Sequence, residues 1–125
     1  FCVPNPRYLS ELSISRLVGK SYTEWFRRIS RVYHANPPEI WQKRLQQAGF
    51  TLERFWHYFS PSALRVLEWG HYFGLPSWLI HRLTGRWILV KSSWNLRLTE
   101  KIMRRYASTQ PVENGTFTFF VARKT

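Results

Sequence analysis

Aspartate is absent from this chain, and cysteine and methionine occur once each. Acid–base and metal designs built on aspartate are therefore excluded. The lone Cys2 can form no intrachain disulfide and no cysteine-rich zinc site. Long apolar runs are missing too: Trp78–Ile80 and Trp87–Val90 fall far short of the roughly 18 residues a membrane-spanning helix needs. No G-x-G pattern occurs, so the glycine-rich turn that brings a backbone against a dinucleotide is lacking. Residues 1–6, Phe-Cys-Val-Pro-Asn-Pro, hold neither a basic leader nor a small-residue cleavage site, unlike a signal peptide.

What is present is positive charge and aromatic surface. Nineteen Lys and Arg face seven acids, a formal net charge of +12 that favours anionic partners without choosing among them. Seven Trp, six Tyr and nine Phe in 125 residues need a core, a pocket, a partner or a membrane interface to cover them. The hydrophobic fraction of 44% excludes disorder, and the length suits one domain or the end of a larger one.

Phe1-Cys2-Val3 stopped by Pro4-Asn5-Pro6 reads as the end of a buried strand, which suggests a chain cut from something longer. A helix is expected from Ser10 to about Val18, closed by Gly19. Ser21-Tyr22-Thr23-Glu24 has the form of a capping box. Behind it, Tyr22, Trp25, Phe26, Ile29, Val32 and Tyr33 recur at helical spacing, with Arg27, Arg28 and Arg31 on the opposite face. Pro38 suits the first position of a third helix ending at Gly49. Phe50–Phe59 reads as a strand, and Ser60-Pro61 opens a helix to about Tyr72. Gly70, Gly74 and Pro76 predict a bend, and a short helix follows at Ser77–Leu83. Arg86–Val90 fits a strand or a buried helical turn. A last helix is expected over Leu96–Tyr106 with Leu98, Ile102, Met103 and Tyr106 inward. Asn114-Gly115 supplies a turn before a strand over Thr116–Ala122.

Several segments together resemble the C-terminal half of a class I SAM-dependent methyltransferase of the small-molecule type. They are Phe1-Cys2-Val3-Pro4-Asn5, residues 28–34 (Arg-Ile-Ser-Arg-Val-Tyr-His), Trp41 to Ala48-Gly49-Phe50, Tyr58-Phe59-Ser60-Pro61, and Gly115 to Lys124. The resemblance implies an α+β fragment of a Rossmann-like fold. It is mainly helical, with a strand end at 1–5, two antiparallel edge strands at about 50–59 and 116–123, and helical segments at 6–49 and 60–112. Residues 60–112 would be an insert over the substrate side, and 113–125 the C-terminal strand. The family's glycine-rich loop and ribose-binding acid are not in this sequence. S-adenosyl-L-methionine would thus be held mainly upstream of Phe1, with Pro4 and Asn5 at its margin. The chain alone is expected to be inactive.

Of four histidines, His34, His57, His71 and His81, no pair has the i, i+4 spacing of a helical metal site, and no metal is expected. A neutral His or Tyr can take a phenol or enol proton. His34 and Tyr33 are the first catalytic candidates; a helix C-terminal residue favoured by the dipole is the plainer reading of His34. Substrate-binding candidates are Arg28 and Arg31, by carboxylate or phosphate pairing, and Trp56, Tyr58, His71 and Tyr72, by ring contacts. Against these stand a solvated arginine face and a core of strand aromatics. Cys2, at a strand end, is expected to be buried. A peripheral, acidic-membrane surface through Trp69, Phe73, Trp78 and Trp87 is a further expectation, with the cytoplasm as compartment. A nucleic-acid-binding module is the other alternative, but the basic residues are scattered and no reading motif appears.

Overall fold

A computed structural model describes residues 1–70, 75–87, 92–106, 108 and 110–125, apart from the side chains of Arg16 and Asn95. The expectations placed on His71, Tyr72, Phe73 and residues 88–90 lie outside the described residues. The architecture is α+β. Strand β1 (Cys2–Pro4) leads into the helical turns α1 (Arg7–Ser10) and α2 (Ser15–Val18), then α3 (Lys20–Ile29) and α4 (Pro38–Gln47). Strand β2 (Phe50–Tyr58) is followed by α5 (Pro61–Trp69), α6 (Leu75–Thr84) and α7 (Ser93–Arg104), and β3 (Phe117–Lys124) ends the chain.

The three strands form one antiparallel-paired sheet in the order β1-β3-β2. Cys2 pairs with Phe119 and Pro4 with Phe117; Phe50 pairs with Lys124 and Tyr58 with Phe117. Both outer strands run against β3, so they run parallel to each other. This corrects the expectation of two edge strands. The C-terminal strand is central, because the first residues fold back onto it: the Phe120 N–H donates to the Phe1 carbonyl at 2.8 Å. Only β2 is the expected edge.

The core lies where α1, α3 and α5 meet one end of the sheet. Tyr8, Leu12, Tyr22, Phe26 and Leu64 are buried there against Phe59 and Phe117. Each buried side chain of this size stabilises the fold by about 2 kcal/mol. Strand alternation splits the sheet into two faces. Phe55, His57, Thr118 and Phe120 share one face with Phe1 and Trp41 of α4. Trp56, Tyr58, Phe117 and Phe119 share the other.

Three local expectations change. Of the helix expected from Ser10 to Val18 only the turn α2 forms; α1 ends at Ser10, and between them Ser13 turns its N–H and hydroxyl to Glu68 rather than to a helix. No side chain caps α3; Gly19 at φ 73° begins it, and Glu24 pairs with Arg27 at 2.9 Å instead of closing a capping box. The apolar stripe of α3 stops at Ile29. There the Ser30 hydroxyl returns to the Phe26 carbonyl at 2.7 Å, and Arg31, at φ 55°, turns the chain away. The cap of α5 is as the sequence suggests, with Ser60 Oγ accepting from the Ala63 N–H at 3.2 Å.

Candidate functional site at the carboxyl ends of the parallel strands

Strands β1 and β2 end side by side around β3, at Asn5 and at His57-Tyr58. Asn5 is almost wholly buried, 2% exposed. Its side-chain carbonyl accepts from the Arg7 N–H at 2.9 Å, which fixes the amide's orientation. Its Nδ2 donates to the Gly115 carbonyl at 2.9 Å and to Thr118 Oγ1 at 3.3 Å, and lies 3.4 Å from His57 Nδ1. The Thr118 hydroxyl is itself 2.8 Å from His57 Nδ1. With Asn5 already donating to Thr118 and aimed at the ring, the Thr118 proton goes to Nδ1. That leaves the ring proton on Nε2. Among the described residues no hydrogen bond is made by His57 Nε2.

His57 titrates below its ordinary value of 6.5, chiefly because burial disfavours the charged ring. The Arg7 charge lowers it further, and Glu39 opposes. The site therefore presents a neutral imidazole as a fixed N–H donor at pH 7. The unfolded chain takes up this proton more readily than the fold. Stability is thus expected to fall as pH drops below about 6.5 and to level off below the folded value. Replacing His57 by Gln should flatten that part of the slope, read in denaturation midpoints between about pH 7.5 and 5. An unchanged slope would contradict the assignment.

Two further features hold this strand end. Phe59 follows β2 in the left-handed region at φ 64°, a conformation that costs a non-glycine residue on the order of 1 kcal/mol. Its carbonyl accepts from the Thr116 N–H at 2.9 Å and the Thr116 hydroxyl at 2.8 Å. Gly115 is pressed against the Tyr58 backbone. At the start of α4, Asn36 Nδ2 and Trp41 Nε1 are buried donors without an acceptor among the described residues. They flank Glu39, whose charge reaches His57.

The sequence-predicted residues fall elsewhere. Tyr33 is 76% exposed, and His34, Arg28 and Arg31 are exposed with it. Arg28 and Tyr33 line one shallow pocket of about 130 Å³ with Glu24, Arg27 and Val32. Arg31 and His34 do not line it. Trp56 stacks on Phe119 at 4.7 Å with the Arg54 guanidinium 5.6 Å over its ring, and is half-buried. The Tyr58 hydroxyl is held well above its ordinary value by burial and by a hydrogen bond to the Cys2 thiol. No hydrogen bond or ring contact joins the Tyr33-His34 group to Trp56 or Tyr58 among the described residues. Pro4 borders the Asn5 cluster. Cys2 is exposed rather than buried; among the described residues nothing pairs with β1 on its outer side.

A second polar cluster was missed by sequence reasoning. Glu68 of α5 is fully buried. One carboxylate oxygen accepts from the Ser13 N–H and hydroxyl, each at 2.8 Å, and the other from the Tyr22 hydroxyl. Trp69 Nε1 donates to Ser13 Oγ at 2.8 Å. Burial, and then the bond to Glu68, raise the Tyr22 hydroxyl far above its usual range. No cation pairs with Glu68 among the described residues. Comparison with protein-family models, with curated proteins and with solved structures finds no match.

Proposed function

We propose that this chain is the substrate-side, C-terminal part of a SAM-dependent methyltransferase acting on a small aromatic or lipophilic acceptor. The observation that carries this reading is the strand order. Two parallel strands enclose a reversed one, and the sheet stops at the open outer edge of a three-residue strand. Largely parallel sheets of doubly wound folds often carry such a reversed strand near one edge. Beyond Phe1, no described residue pairs with that edge of β3, and a groove of about 410 Å³ lies beside it, lined by Phe1, Leu45, Phe50, Phe120 and Ala122. A strand continued upstream from Phe1 would fill that groove and bond to β3.

Ligands of open α/β sheets bind outside the carboxyl ends of the strands. Asn5 and His57 occupy that position here. The chain has no glycine-rich turn for SAM, and both ends of the Asn5 amide are already engaged. Asn5 therefore shapes the margin of the cofactor site, and the cofactor is held upstream. SAM supplies an electrophilic methyl group; the protein's task is to align the acceptor and exclude water. His57 does not take up the acceptor's proton, the role first expected of His34 and Tyr33; the acceptor gives that proton to solvent and His57 holds the resulting anion. Its Nε2–H donates to the acceptor oxygen and favours the phenolate or enolate that attacks.

The test uses the protein extended by its upstream coding sequence, labelled SAM and a panel of phenolic and lipophilic acceptors. Labelled product is expected from the extended protein and none from residues 1–125. His57→Gln is expected to lower kcat by about 10- to 100-fold with KM little changed, the worth of one hydrogen bond to a charged oxygen. An extended protein that binds no SAM by calorimetry would overturn the reading. So would SAM binding by residues 1–125 alone.

A further inference from the structure

Helix α7 turns its apolar side to solvent. Trp94, Leu98 and Ile102 recur at every fourth residue, which stacks them on one side of a helix. They are 64%, 51% and 45% exposed. The sequence pattern predicts Leu98 and Ile102 inward; the structure leaves both about half exposed, and no described side chain of α7 is fully buried. On the adjoining side, Arg97, Lys101 and Arg104 are exposed, with Arg105 just past the helix end. Glu100 is the helix's single acid, and it pairs with Arg104 at 2.7 Å.

The preceding helix also exposes leucines beside basic residues. Leu79 and Leu83 of α6 are exposed, and so are Arg82 and Arg86. Trp87 is exposed and stacks on His81 at 4.3 Å. Trp78, by contrast, meets Trp25 edge-on at 4.9 Å and faces inward. Of the tryptophans expected at a membrane, Trp69 and Trp87 remain exposed.

The charge decides what covers this surface. An apolar protein face would satisfy Trp94, Leu98 and Ile102 but leave Arg97 and Lys101 unpaired. A bilayer bearing anionic lipid satisfies both at once. Tryptophan and leucine enter the acyl boundary, and Lys and Arg stems extend along it while their charges reach lipid phosphates. A chain with a formal net charge of +12 is drawn to such a surface before any contact forms. We propose that α7 is an interfacial helix that lies in the headgroup region of an anionic phospholipid bilayer, with Trp94, Leu98 and Ile102 immersed and Arg97 and Lys101 on phosphates.

Flotation of the 125-residue chain with vesicles tests this. One set contains phosphatidylcholine alone and the other phosphatidylcholine with phosphatidylglycerol. The chain is expected to float with the anionic set and not with the neutral one. Trp94→Ala/Leu98→Ala/Ile102→Ala should weaken vesicle binding about 10-fold or more while the far-UV circular dichroism is retained, because these side chains support no core. Arg97→Glu/Lys101→Glu should abolish the preference for anionic lipid. The proposal is overturned if the chain floats with neither set, or if it floats equally with both. It also fails if the triple variant binds as tightly as the parent, which would place the membrane contact elsewhere. Self-association that the triple substitution abolishes, without vesicle binding, would assign the face to a second copy and also overturn it.

Discussion

Replacing Gly115 by alanine is expected to cost more than about 3 kcal/mol, and to lower the melting temperature by about 10 °C. A Cβ built at this position falls 2.5 Å from the Tyr58 carbonyl oxygen and 2.6 Å from its nitrogen. Those are backbone atoms in a paired strand, and they cannot rotate away. The strand end must move instead. That movement breaks the Asn5–Gly115 bond and takes the Phe59–Thr116 bonds with it. The Asn5-Thr118-His57 cluster should loosen in the same variant, so the depressed titration of His57 should return toward 6.5. Denaturant unfolding and histidine NMR read the two effects. An alanine variant with the parental midpoint would show that this close approach does not constrain the fold.

Removing the Glu68 carboxylate should be comparably severe. Glu68→Ala leaves the Ser13 N–H, the Ser13 hydroxyl and the Tyr22 hydroxyl without their common acceptor, inside the core. Hydrogen bonds to a charged group are worth about 1.5–3 kcal/mol, and an abandoned buried donor adds its own cost. A loss of about 3 kcal/mol or more is expected. Glu68→Gln keeps the shape but turns an amide N–H₂ toward one donor, so it should lose roughly half as much. Tyr22→Phe removes one bond and should cost about 1–2 kcal/mol. This ordering, Ala worst and Phe mildest, separates the network from simple cavity formation, which would spare Gln. Equal stability of all three variants would contradict it.

The two clusters also mark where the sequence stops being informative. Strands β2 and β3 are legible because alternation and turn residues bound them, and the α5 cap is legible as Ser60-Pro61. The apolar stripe of α3 is legible up to Ile29, where a non-periodic event, the turn at Arg31, ends it. The break between α1 and α2 is not legible, since its cause is Glu68, 55 residues away from Ser13. Glu68 itself reads as one acid in an apolar helix. Asn5, His57 and Thr118 come together only through strand register, because Val3 pairs with Thr118 and Thr118 with His57. One signal was available: alternation puts His57 on the same side of its strand as Phe55. For α7, periodicity reveals an apolar side but not what covers it, and the inward assignment of Leu98 and Ile102 went wrong for that reason. The position of β3 in the sheet depended on whether residues 1–4 pair with it, which a three-residue strand cannot declare.

The transferase reading stands on the sheet being the end of a wider one, and amide hydrogen exchange along β3 tests that directly. The Phe120 N–H is bonded to Phe1 and the Thr125 N–H to Gly49, and amides alternate in direction along a strand. The Ala122 and Lys124 amides therefore face the bare edge. In residues 1–125 the expected result is slow exchange at Phe120 and fast exchange at Ala122 and Lys124. In the protein extended upstream of Phe1, Ala122 and Lys124 should become as slow as Phe120, because a lengthened β1 bonds to them. Fast exchange at both positions in the extended protein would contradict the account.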